Sequence, residues 1–119
     1  MSSLRERLEA TPLQQTILTI RNERFTVSEI DRAERARIVA DCTDKQGKRD
    51  FLKLEGVLLS RCVSDAISGD PIYSVDEWQM WDRLGSGLTG PLMSEVMRHN
   101  GLDNEDVGRE VKNSDTTTN

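Results

Sequence analysis

The chain has 119 residues, 35% hydrophobic and 31% charged, with a mean hydropathy of -0.59; that is length for one domain with a modest core and none for a second. The net charge of -5 is uneven: residues 1–49 carry 10 Lys/Arg against 8 Asp/Glu, and residues 50–119 carry 6 against 13, so no dense basic stripe is offered to phosphates and nucleic acid is not an expected partner. No apolar run approaches the roughly 18 residues of a membrane span and the start MSSLRERLEATPLQQ lacks a signal-like apolar stretch, so a soluble cytoplasmic protein with no membrane partner is expected.

Ser2 and Ser3 can cap a short charged helix, 4–10, in which Leu4 and Leu8 share a face. Thr11-Pro12 ends it. The segment TILTIRNERFTV is β-prone on both sides of an Asn-containing turn, which predicts a hairpin with strands at about 15–20 and 24–28. Asp31-x-x-Glu34 has capping-box spacing, with Ser28 as the rival cap, and a helix is expected to run to about Cys42. The polar connector TDKQGKRD follows, with Gly47 as its turn point.

Residues 51–67, FLKLEGVLLSRCVSDAI, carry a broad apolar stripe through Phe51, Leu54, Leu58 and Cys62 beside another through Leu52, Leu59 and Val63. A central core helix is expected, with Gly56 marking close approach of a neighbour. Gly69 is expected to end that helix in a left-handed conformation and Pro71 to block its continuation. Ser74-x-x-Glu77 is a capping box, with Tyr73 and Trp78 as its hydrophobic staple, opening a short helix that carries Trp78 and Trp81. GSG at 85–87 is read as a joint. A last helix at about 90–100 pairs Leu92 with Val96 and Met93 with Met97, and Asn100-Gly101-Leu102 closes it in a Schellman ending.

The expected fold is therefore α+β, mainly α: one domain over 1–102, a β-hairpin at about 15–28 and a bundle of about four helices over 31–102. Residues 103–119 form a polar, acidic tail whose composition predicts mobility.

Chemistry is sparse. Cys42 and Cys62 lack metal-ligand spacing, and buried thiols in a reducing compartment account for them. The acids Asp65, Asp70, Asp76 and Glu77 do not match a calcium loop. GSGLTG lacks the strand context of a nucleotide-binding turn, and no nucleophile elbow or phosphate loop occurs. His99, near a helix C-terminus, is explained by the helix dipole and terminal carbonyls. No catalytic residue, metal site or cofactor is expected. Trp78, Met80, Trp81, Met93 and Met97 are the candidate partner-binding residues, because methionine repacks readily and tryptophan anchors. Gly69, Pro71, Tyr73, Ser74, Glu77 and Gly101 are structural corner residues.

The run VSDAISGDPIYSVDEWQMWDRLGSGLTGPLMSEVMRHNGL, preceded by FTVSEIDRAERARI, resembles small tail assembly chaperones of long-tailed bacteriophages over roughly residues 24–102. The resemblance lies in the Gly69-Asp70-Pro71-Ile72-Tyr73 turn, the acidic helix 75–84 and the Asn100-Gly101-Leu102 ending. Two tryptophans in the acidic helix and the glycines of 85–91 depart from the usual pattern. The resemblance implies a non-enzymatic factor of virion morphogenesis that binds the tape measure protein, keeps it soluble and helps tail tube assembly in the host cytoplasm, and that is absent from the finished virion. Tape measure protein, the tail tube protein and further copies of the chain are the implied partners. In many relatives a frameshift adds a longer form. A head–tail connector or tail completion subunit is the alternative reading, and a small DNA-binding regulator using the helix with Arg32, Arg35 and Arg37 is a further one.

Overall fold

A computed structural model describes residues 2–102; the tail expected to be mobile, 103–119, lies outside the described residues. The architecture is α+β and mainly helical. In chain order the elements are α1 (Leu4–Ala10), β1 (Gln15–Ile20), β2 (Glu23–Ser28), α2 (Arg32–Asp41), α3 (Phe51–Cys62), β3 (Val63–Asp65), a 3-10 helix (Val75–Arg83) and α4 (Ser86–His99). The strands form one antiparallel sheet in the order β1-β2-β3.

The hairpin closes through Arg21 and Asn22, both at positive φ (53° and 68°). A two-residue turn of this kind follows the twist of the strands it joins. Asn tolerates that conformation; Arg21 carries a conformational cost. Strand β2 turns Phe25 and Val27 into the core, and Leu18 and Ile20 of β1 pack beside them.

Asp31 wins the cap of α2: its Oδ1 accepts from the Glu34 N–H at 2.8 Å. The reciprocal half of that box is not made, because the Glu34 carboxylate takes the Arg61 guanidinium of α3 in a bidentate pair. Ser28, the rival, ends β2 and donates to the Cys62 carbonyl at 3.3 Å. In the connector, Asp44 Oδ1 accepts from Gln46 N–H (2.9 Å) and Lys48 N–H (2.8 Å), and Gly47 turns at φ +83°. Asp50 then caps α3 by accepting from Lys53 N–H at 3.0 Å.

The core helix is shorter than expected. It stops at Cys62 rather than 67, and Val63 is already extended (φ -111°, ψ 129°). Val63, Ser64 and Asp65 become β3 and pair with Val27, Thr26 and Phe25. The second edge of β2 supplies backbone partners there, and a β-branched valine favours the extended form.

Gly69 and Pro71 consequently have other tasks than stopping a helix. The Gly69 N–H donates to the Asp65 carbonyl and the Asp65 N–H to the Asp70 carbonyl, both at 2.8 Å. Gly69 at φ +81° thus reverses the chain after β3, and Pro71 returns to form a bridge with Ser64 along the outer edge of that strand.

Residues 75–83 form a 3-10 helix rather than an α-helix, with Glu77 kinked at φ -96°, ψ 17°. Ser74 and Glu77 stand in capping-box geometry, but the well-formed bond is the Glu77 half, its Oε1 accepting from Ser74 N–H at 3.0 Å. The Glu77 N–H goes to the Ser74 carbonyl, also at 3.0 Å, as i to i+3 geometry requires. The ring partner of Tyr73 is Trp81 rather than Trp78: the two meet edge to face, centroids 5.1 Å apart.

Helix α4 begins at Ser86, four residues before the expected start, because Gly85 serves as its N-cap and its carbonyl accepts from Leu88 N–H (2.9 Å) and Thr89 N–H (3.1 Å). Its end follows expectation: Gly101 lies at φ +68° and the Leu102 N–H closes on the Met97 carbonyl at 2.8 Å. Val27, Leu58, Cys62, Val63, Leu92 and Val96 are the most completely buried large side chains, so the core lies where α3 and α4 cross the inner face of β2 and β3. Among the described residues no helix is long and apolar enough to cross a membrane.

Candidate partner-binding groove

Helix α3 turns Leu52, Glu55, Gly56 and Leu59 to one side, and α4 turns Ser86, Thr89, Gly90 and Met93 to face them. Each set has the i, i+3, i+4, i+7 spacing of a single helical face. Trp81, Asp82 and Leu84 close the third side, leaving a groove of ≈ 510 Å³. Its floor is apolar and buried, with Trp81 at 3% and Met93 at 9% exposure, whereas Leu52 stands on the rim at 58%. The charged side chains that line it, Glu55 and Asp82, are both acidic.

The walls are positioned by specific contacts. A Cβ on Gly56 would lie 2.8 Å from the Trp78 carbonyl oxygen and 2.9 Å from its ring, so the glycine is what lets the 3-10 helix lie against α3. The expected close approach at Gly56 is thereby located. The Trp81 indole N–H donates to the buried Ser60 hydroxyl at 3.0 Å, and Tyr73 braces the ring from the other side. With three residues per turn, Trp78 and Trp81 share one face of the 3-10 helix, and Leu84 follows as its extended C-cap. Gly90 differs from Gly56: a Cβ there meets nothing within 4 Å, so its small size keeps the groove open without serving a packing contact.

The five candidate partner residues therefore separate. Trp81 and Met93 come together in the groove floor as core residues; Trp78 is half-buried against Gly56; Met97 packs against the core away from the groove. Met80 is exposed but outside the lining. Leu52, Leu59, Leu84 and Gly90 complete the site and were not singled out as partner residues. Leu52 and Leu59 belong to the second apolar stripe of α3, but the core buries Leu59 (4% exposed) and leaves Leu52 out; an apolar side chain left over on that stripe is the signal by which Leu52 could have been found.

The groups with potential chemistry are engaged structurally. Burial pushes the Cys62 thiol up to about 11, against a smaller opposing effect of the Asn100 hydrogen bond, and burial raises Cys42 as well. Both stay protonated near neutrality and are poor nucleophiles. The His99 ring, 4% exposed, is not at the terminal carbonyls as expected: its Nε2 meets Thr16 Oγ1 of β1 at 2.7 Å, and its buried Nδ1 has no hydrogen-bond partner among the described residues. Asn100 takes the carbonyl role instead, donating to the Val96 carbonyl while its Oδ1 accepts from Ile30 N–H, both at 2.8 Å. A second hollow, ≈ 530 Å³ at the α2–α3 connector, is lined by Asp41, Asp44 and Asp50 against Lys48, Arg49 and Lys53, a balance that favours neither sign of ligand. Among the described residues no three His, Cys, Asp or Glu side chains gather as a metal site would require.

Comparison with family models, with curated proteins and with solved structures gives no match.

Proposed function

We propose that this protein is a tail assembly chaperone of a long-tailed bacteriophage, and that the groove between α3, the 3-10 helix and α4 holds an amphipathic helical segment of the tape measure protein. The observation that carries the proposal is the groove: an apolar floor on two facing helix faces, an exposed Leu52 rim and an opening at Gly90. Helix-in-groove recognition places i, i+3, i+4 and i+7 anchors of the client on such a surface. The acidic rim of Glu55 and Asp82 favours a client segment with basic residues beside its apolar stripe. Support for the tape measure protein as that client is the order of turn, acidic helix and Asn-Gly-Leu ending. On this reading the protein works in the host cytoplasm, its tube-protein contacts are secondary, and it leaves before the virion is complete.

Gly90→Leu provides the test. The new side chain enters open space and improves helix propensity, so the variant folds, but it fills the groove. Co-expression with the tape measure protein should give a soluble, copurifying complex with the wild type and an insoluble client with Gly90→Leu. If the wild type neither solubilises nor retains the client, the chaperone reading fails. Stoichiometric amounts of the protein in purified virions would instead favour the connector or tail completion role.

A further inference from the structure

The two edges of the sheet are treated differently. The outer side of β3 is covered by the returning chain, with Pro71 bridged to Ser64, and proline offers no donor for further pairing. Among the described residues, no strand pairs with the outer side of β1.

The register fixes which groups that open edge presents. In a two-residue hairpin the closing pair, Ile20 with Glu23, is hydrogen-bonded, so Leu18 and Thr16 also direct their N–H and C=O groups to β2. Gln15, Ile17 and Thr19 direct theirs outward. Their side chains also lie on the face away from the core, with Ile17 at 53% exposure. Natural sheets guard such an edge with charge, proline or a bulge; the strand QTILTI has no charged residue and no proline.

We infer that the outer edge of β1 pairs antiparallel with the same edge of a second copy, about a twofold axis at Ile17, joining the two sheets into one. The edge is complementary to itself. Ile17 meets Ile17 of the other copy, Gln15 meets Thr19, and the outward groups form about six backbone hydrogen bonds with no like charges opposed. Apolar surface is on offer beside the edge: Ile17, Leu13 (54%) and, one connector away in sequence, Leu4 (62%) and Leu8 (64%) of α1, a helix that buries no residue. The paired edges and their polar side chains add to that. The inference is independent of the client-binding reading, since the groove and this edge share no residue.

Sedimentation equilibrium from micromolar to hundreds of micromolar protein tests it. The wild type should approach twice its 13.5 kDa chain mass in a concentration-dependent way. Ile17→Lys puts two ammonium groups together at the axis and should weaken the dimer by about tenfold or more, with an unchanged circular dichroism spectrum. Ile67→Lys, at a site 85% exposed in the turn beyond β3, should dimerise like the wild type. Ile17→Cys should cross-link into dimers under mild oxidation, and Ile67→Cys should not; this readout stands even where Ile17→Lys disturbs the strand. A wild type that stays monomeric throughout, or a dimer that Ile17→Lys leaves intact, would overturn the inference.

Discussion

Two glycines of the same groove illustrate how opposite the consequences of one methyl group can be. At Gly56 an added Cβ overlaps the Trp78 carbonyl and ring; backbone cannot swing aside as a flexible side chain would, and overpacking of this kind costs about 1–3 kcal/mol. That exceeds the roughly 0.5–1 kcal/mol that alanine gains over glycine inside a helix. At Gly90 the same methyl meets nothing within 4 Å, and only the helix gain remains. Gly56→Ala is therefore expected to lower, and Gly90→Ala to raise, the urea midpoint, each by an amount equivalent to about 1 kcal/mol. Shifts of the same sign would refute the packing assigned to Gly56. Gly56 was legible as a point of close approach because glycine is otherwise expensive in a helix. Asn100 was legible only as a helix end; its bond to Ile30, 70 positions away, depends on a long-range packing that no local signal encodes.

At the scale of elements, local chemistry announced itself well and competition between elements did not. The hairpin, the Asp31 cap and the Schellman ending are decided within a few residues, and caps and turns are readable for that reason. The α3–β3 boundary is decided elsewhere, by the unpaired side of β2. Val63 to Asp65 continue the helical stripe well enough that only tertiary pairing separates the alternatives. Likewise Trp78 and Trp81 are one turn apart in either helix type, so the 3-10 form was hidden. It changes what the cap is worth. With the Glu77 N–H held by the Ser74 carbonyl and the Ser74 N–H held by Glu77, Glu77→Ala should cost about 1 kcal/mol. Ser74→Ala should cost less than half as much. Chemical denaturation of both variants measures this, and a larger loss for Ser74→Ala would restore the hydroxyl as the principal cap.

For the molecule as a whole, the buried thiols tie stability to alkaline pH. The Cys62 pKa lies near 11 in the folded chain, against 9.0 for a free thiol. The folded state therefore holds its proton where the unfolded state releases it. The contribution is fully present below about pH 9 and is lost as pH rises toward 11, a loss on the order of 2–3 kcal/mol from Cys62. Cys42 acts in the same direction. Urea midpoints at pH 8 and pH 10.5 should fall more for the wild type than for Cys62→Ala; equal falls would place the alkaline sensitivity in other groups. The candidate site was only partly legible at this scale. Trp81 and Met93 carried the right composition, but the 3-10 helix and the neighbouring helices bury both, so they line a floor that Leu52 and Gly90 open to solvent.

Helix α3 passes into β3 with no residue between them, Cys62 ending one and Val63 beginning the other. A helix turns its side chains by about 100° per residue and a strand by about 180°, so an insertion at this joint would rotate the helix face and invert every β3 side chain at once. Length variation in homologous chains should therefore collect in the turns around Gly47 and Gly69, which close on local bonds, and be missing at 62–63. The joint acts as a ruler that sets the phase of the groove-lining helix against the sheet.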